Sequence, residues 1–173
     1  QVFRDALLNE RLMPSARIRA IEVLTELFDG VPPTRAPLVA KAASPQIRSR
    51  LAWSLGRAPF EDLGYVLPPL ALDGHPMVRR SALESMTDRV NFMTAGDLLK
   101  VLPQNFAYRD ERVREAAARL AAILPDSAWT NLVADIEKQS IQARLTLVLA
   151  TIWRSPGQEV HPGALIAATS ILE

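Results

Sequence analysis

Ile18-Arg19, Ile47-Arg48, Val78-Arg79 and Val113-Arg114 recur along the chain at steps of 29, 31 and 35 residues. Ile141-Gln142 stands 28 residues beyond Val113, with glutamine in place of arginine. A guanidinium is planar, permanently charged and carries five N–H donors, so it suits carboxylates, phosphates and backbone carbonyls. If the repeats stack, Arg19, Arg48, Arg79 and Arg114 form a column with neighbours about 10 Å apart, the ordinary distance between packed helices. Two chemistries are open to that column. It is a basic stripe for an acidic peptide or phosphates, or a structural ladder in which each arginine bonds a carboxylate or turn carbonyl of a neighbouring repeat. Arg17, Arg50, Arg80 and Arg112 add charge beside it, while Glu22, Glu84, Asp88, Glu111 and Glu115 on the same stretches dilute it.

The other chemistry-bearing residues are sparse. Trp53, Trp129 and Trp153 are the largest aromatics. An exposed tryptophan is a frequent binding hot spot, and a buried one is packing area between repeats. Trp53 precedes an apolar seam at Ser54-Leu55 and is placed at the edge of an inner face. His75 and His161 each precede a proline in a turn, and two histidines without clustered carboxylates make a poor metal site. No motif frames a serine nucleophile. Glu61-Asp62 and Glu84/Asp88 read as solvated carboxylates rather than an acid/base pair, because nothing in the sequence argues for their burial. The seven glycines are scattered at turns and form no phosphate loop. The expectation is therefore no catalytic residue, no metal and no cofactor.

Composition agrees with a packed helical domain. Over 173 residues, 49% are hydrophobic and 23% charged, and aromatics are only 6%, so alanine and leucine carry the apolar content. The net charge of +1 supplies no general field for nucleic acid or an anionic membrane. Cysteine is absent, which excludes disulfides, thiolate metal sites and cysteine nucleophiles. No stretch is apolar for long enough to span a bilayer. The sequence opens on Gln1 without a leader pattern, and reads as a piece of a longer chain whose targeting signals lie elsewhere.

The elements that would position these residues are short helices. Asp110 to Leu124 is the clearest: Val113, Ala116, Ala117, Leu120, Ala121 and Leu124 share one helical stripe, and Asp110 can cap its first turn. Weaker copies cover Pro14 to Phe28, Gln46 to Arg57, Met77 to Arg89 and Ser140 to Arg154. Ile18, Ile21, Leu24, Leu27 and Phe28 are the expected inward face of the first of these. Between them lie Val2 to Leu12, Thr34 to Ala43, Leu63 to Asp73 (split near Leu67 by Pro68-Pro69), Gly96 to Leu102 and Ala128 to Lys138. Gly30 is placed to take a left-handed conformation after the first copy. Pro103 to Arg109 is expected as a loop, with Asp126 or Ser127 as a later cap. A last apolar helix is expected over Ala164 to Leu172, after a polar loop from Ser155 to Gly163.

A period of about thirty residues, with a proline-marked turn and a Val/Ile-Arg pair opening each second helix, resembles HEAT repeats, and most closely the short bacterial type found in phycobilin lyase-like proteins. SPQIRSRLAWSLGR, HPMVRRSALESM and DERVREAAARLAAI carry the likeness, which spans roughly Val2 to Arg154. The resemblance implies an all-α, right-handed α-α superhelix of about five helical hairpins, with residues 1–173 forming one solenoid domain. In HEAT proteins the repeated arginine commonly serves as a structural ladder. Such arrays are also similar to segments of large bacterial proteins carrying a dehydrogenase-like propeller and a cytochrome c domain.

The function expected is a non-catalytic scaffold that binds a protein, or another domain of its own chain, on the concave face of the second helices. Arg17, Arg50, Arg80 and Trp53 are the expected contacts. A nucleic-acid-binding solenoid and an accessory domain of a larger bacterial enzyme, dehydrogenase/cytochrome c-like or phycobilin lyase-like, are the alternatives, and the near-neutral charge weighs against the first.

Overall fold

The computed structural model describes residues 1–60, 65–134 and 138–154. Among them the chain is all-helical. The α-helices are α1 (Val2–Ala6), α2 (Pro14–Leu27), α3 (Ala36–Val39), α4 (Pro45–Arg57), α5 (Leu67–Ala71), α6 (Pro76–Asp88), α7 (Ala95–Phe106), α8 (Glu111–Ala122), α9 (Asp126–Val133) and α10 (Ile141–Arg154), with a 3-10 turn at Val90–Phe92. The chain divides into two compact units, Gln1–Met93 and Thr94–Glu173. The expected loop from Ser155, the helix at Ala164 to Leu172, His161 and the Glu61-Asp62 pair lie outside the described residues.

In the first unit a short helix precedes each long one. The short helices α1, α3 and α5 pack on α2, α4 and α6 respectively, and α4 packs on both α2 and α6. Pro14, Pro45 and Pro76 each occupy the first helical position, where a missing N–H costs no hydrogen bond. Ile47, Leu51, Ala52 and Leu55 of α4, with Val78, Ala82, Leu83 and Met86 of α6, are buried between these layers. Fully burying a leucine- or valine-sized side chain is worth about 1.5–3 kcal/mol. Lateral contact between neighbouring hairpins therefore carries much of the stability.

The closest approach is at Gly56. A Cβ built there would lie 2.6 Å from Ser85 Oγ and 3.0 Å from Ser85 Cα. Ser85 is fixed in place because its hydroxyl donates to the Ala52 carbonyl at 2.7 Å. Gly56→Ala should thus destabilise the first unit by about 1–3 kcal/mol through overpacking, even though alanine is the better helix former by about 1 kcal/mol. Urea unfolding of the variant checks this, and an unchanged or raised midpoint contradicts it.

In the second unit α8 packs on α7 and α10, and α7 also touches α9 and α10. The α8 stripe is buried as its spacing predicts, and the Asp110 carboxylate accepts from the Val113 N–H at 3.1 Å. Thr146 Oγ lies 3.0 Å from the Phe106 carbonyl, joining α10 to the end of α7.

Several boundaries depart from expectation for local reasons. Helix α1 stops at Ala6, and the Asn9 side chain instead accepts from the Arg11 N–H in a compact turn. Leu27 and Phe28 point outward, at 71% and 52% exposure, and the buried face of α2 is Arg17, Ala20, Ile21 and Leu24. After α2 both Asp29 and Gly30 have positive φ, 60° and 100°. The left-handed turn therefore takes two residues, and Gly30 N–H closes it on the Leu24 carbonyl. Helix α7 runs through Pro103 to Phe106 instead of ending before the proline. Leu102 and Phe106 are buried on either side of Pro103, and the Asn105 amide bonds the Val101 carbonyl at 2.9 Å. Helix α9 starts at Asp126 without a side-chain cap and ends at Val133.

Candidate functional site

Counting from the first residue of each long helix corrects the register of the repeat. Arg17, Arg48, Arg79, Arg114 and Arg144 all stand fourth in their helices. The preceding position is Ala16, Ile47, Val78, Val113 or Ala143. In the first and last copies the Ile-Arg and Ile-Gln pairs lie two residues to one side of the equivalent position. Ile141 is accordingly 58% exposed and Ala143 buried.

Three of these arginines fold back on the turn that precedes their own helix. Arg48 Nη1 donates to the carbonyls of Ala42 and Ala43 at 2.7 and 2.9 Å. Arg79 donates to Asp73 and Leu72 at 2.6 and 3.3 Å, and Arg114 to Tyr108 and Arg109 at 2.9 and 3.0 Å. Carbonyls just past a helix end have no intrahelical donor, so a cation with several N–H groups satisfies them. Arg17 performs the same task in the first copy, only 8% exposed and bonded through Nε to the Leu7 carbonyl at 2.9 Å. Arg17 is thus held in the interior instead of offering a surface contact. Arg19 sits on the surface, paired with Glu22 at 3.2 Å, instead of joining the ladder.

Arg48 has a second partner. Its Nε and Nη2 meet the two carboxylate oxygens of Asp73, in the turn before α6, at 2.7 and 2.9 Å. The His75 N–H also donates to Asp73. Burial raises the Asp73 carboxyl, but the Arg48 bonds, the His75 N–H and the nearby positive charge outweigh it and hold the group below its usual range. His75 itself caps α6, its Nδ1 accepting from the Met77 N–H at 3.3 Å.

With Arg17, Arg48 and Arg79 committed to the turns before their own helices, the surface the first unit offers is formed by residues on either side of them along α2, α4 and α6. A groove of about 330 Å³ opens there, lined by Ile18, Gln46, Ser49, Arg50, Trp53, Met77 and Ser81. Trp53 is half-buried. Two guanidinium carbons approach its ring centroid, Arg50 at 4.8 Å and Arg57 at 4.6 Å. Ser49 and Ser81 share a hydrogen bond of 2.8 Å across α4 and α6. Arg50 Nη2 lies 3.4 Å from Glu22, which also pairs with Arg19. Of the expected contacts, Arg50 and Trp53 come together here. Arg80 instead pairs along its own helix with Glu84 at 2.7 Å, and it does not line the groove.

The second unit has a groove of about 270 Å³ between α8 and α10, with a different character. Glu111 and Glu115 supply two carboxylates, Leu145, Leu149 and Trp153 the apolar wall, and Arg114 is already tied to its turn. Trp129 is buried at 1% exposure and is core.

Ser49, Ser81, Arg57 and Asp73 escaped the sequence reading. Asp73 lies 25 residues beyond Arg48, and no local pattern couples them. The register, by contrast, was available in the prolines: Pro14, Pro45 and Pro76 are evenly spaced by 31 residues, and alignment on them brings Arg17 level with Arg48 and Arg79.

No family of known proteins, curated protein or solved structure matches the chain. Among the described residues no helix is long and apolar enough to cross a membrane, and no cluster of three or more metal-ligating side chains forms.

Proposed function

We propose that the chain is a HEAT-like helical-repeat module, its hairpins arranged as a right-handed superhelix, and that it works as a non-catalytic scaffold binding a protein partner or another domain of its own chain. The groove over Trp53 is the binding surface. The observation that carries this reading is a half-buried tryptophan, approached by two guanidiniums, in a groove built from successive long helices. Tryptophan and arginine are the side chains most often found at binding hot spots, because both offer large contact area with directed donors. The recurrence of a turn-bonding arginine at the fourth position of α2, α4, α6 and α8 supports the repeat architecture.

The test is affinity capture from a native extract, with the wild-type chain, Trp53→Ser and Arg50→Gln as baits. Proteins held by the wild type should be lost from both variants while their thermal melts stay within a few degrees of the parent. Identical captured sets from all three baits would remove the groove from the reading.

A further inference from the structure

We infer that the groove over Trp53 takes a carboxylate-bearing side chain of a peptide segment, with an adjacent apolar residue of that segment packed against the indole. The inference rests on the scaffold reading and adds the chemistry of the partner.

Helix α4 carries Arg48, Arg50 and Arg57 and no acidic residue. Arg48 is neutralised by Asp73, so Arg50 and Arg57 set the field near Trp53. Arg19 and Arg50 share the single carboxylate of Glu22. Arg57 touches the Trp53 ring and donates to the Trp53 carbonyl, with no carboxylate beside it among the described residues. Among the described residues, the three guanidiniums of Arg19, Arg50 and Arg57 are therefore balanced by the one carboxylate of Glu22.

Hydrogen-bond bookkeeping points the same way. Ser49 and Ser81 hold two hydroxyl hydrogens, and their mutual bond uses one, which leaves an O–H to donate. The Gln46 Oε1 already accepts from the Ser44 hydroxyl at 2.7 Å, so its amide N–H groups are what it can offer a ligand. Arg50 reaches Glu22 through Nη2 alone, which leaves further guanidinium donors. A site edged by donors and net positive charge is complementary to an anionic acceptor, and charge-assisted bonds of this kind are roughly twice as strong as neutral ones. Ile18, Met77 and the indole complete it with apolar walls, which select a peptide side chain over a bare anion.

The probe is a random-peptide display library selected on the immobilised full chain, then re-selected on Arg50→Gln and on the Ser49→Ala/Ser81→Ala double variant. Enriched peptides should share an aspartate or glutamate beside an apolar residue. Exchanging that acid for its amide in a synthetic peptide should weaken binding at least about tenfold, or about 1.4 kcal/mol. Arg50→Gln should erase the acidic preference with its melt unchanged, and added salt should weaken the wild-type complex. No enrichment, enrichment without acid, or equal selection on Arg50→Gln would each overturn the inference. So would a single-stranded oligonucleotide that bound in an Arg50-dependent way and displaced the peptides, since the anion recognised would then be phosphate. If extract capture depends on Trp53 yet the peptides lack an acid, this inference falls alone. If capture is indifferent to Trp53, the groove leaves the scaffold reading and this inference goes with it.

Discussion

Leu120→Asp is expected to cost the 94–173 unit its folded state. Leu120 is 0% exposed on α8, in the stripe with Val113, Ala116, Ala117 and Ala121. Loss of the leucine side chain alone removes about 1.5–3 kcal/mol of burial, and a cavity adds to that. The carboxylate then sits among alanines and leucines without a partner. Burying an unpaired charge costs several kcal/mol more even when the group takes up a proton. Small domains are stable by about 5–15 kcal/mol, so the combined loss is of the order of the whole. Circular dichroism should show loss of the helical signal of α7–α10, and limited proteolysis should cut within residues 94–154. Leu120→Ile, which keeps volume and polarity, should stay within about 1.5 kcal/mol of the parent. A Leu120→Asp chain melting cooperatively within a few degrees of wild type would mean that this stripe faces solvent.

The burial of Leu120 is written in a signal readable in one dimension. Apolar spacing of three and four residues marked α4, α6 and α8 and their buried faces, because a helix exposes its periodicity to any reader of the sequence. The stripe failed on α2, where Leu27 and Phe28 matched the pattern yet lie outside the core. Nothing in their own residue types reports that the chain turns back through Asp29 and Gly30 before they can pack. It failed more instructively at Arg17. A charged residue near the start of a helix looks like a surface contact, whereas its guanidinium is drawn inward by the Leu7 carbonyl ten residues upstream. The candidate site was legible only in part for a similar reason. Arg50 and Trp53 are three apart on one helix face and could be paired by counting. Ser49 meets Ser81 across 32 residues, and the groove between them exists only once α4 lies against α6.

Arg48→Ala is the second large effect, and its cause differs from that of Leu120→Asp because no apolar contact is at stake. One guanidinium satisfies the Ala42 and Ala43 carbonyls of its own hairpin and both oxygens of Asp73 in the next. Both side chains of the pair are largely buried, 17% and 13% exposed, so screening by water is limited. Removal of one member of a buried pair costs about 3–5 kcal/mol, chiefly because the other charge stays desolvated and unpaired. The first unit should lose stability towards the lower end of that range, since Asp73 keeps its bond from the His75 N–H. Arg48→Lys should recover only part of it, because an ammonium cannot present the planar fork to two oxygens and two carbonyls together. A double-mutant cycle with Asp73→Asn isolates the pair, and the doubly substituted chain should lose less than the two single losses added. The pH dependence follows from the same contact. The Asp73 carboxyl is held below the ordinary aspartate range of about 3.9. Its stabilising contribution is therefore fully present above that value and is lost as pH falls through the lower folded value. Urea midpoints of the wild type should owe nothing to this group's titration between about pH 7 and pH 5 and lose its contribution only in stronger acid. In Asp73→Asn that share of the acid loss should be missing. If the acid limb is as steep in Asp73→Asn as in the wild type, or if the cycle is additive, the Arg48–Asp73 contact does not join the second hairpin to the third.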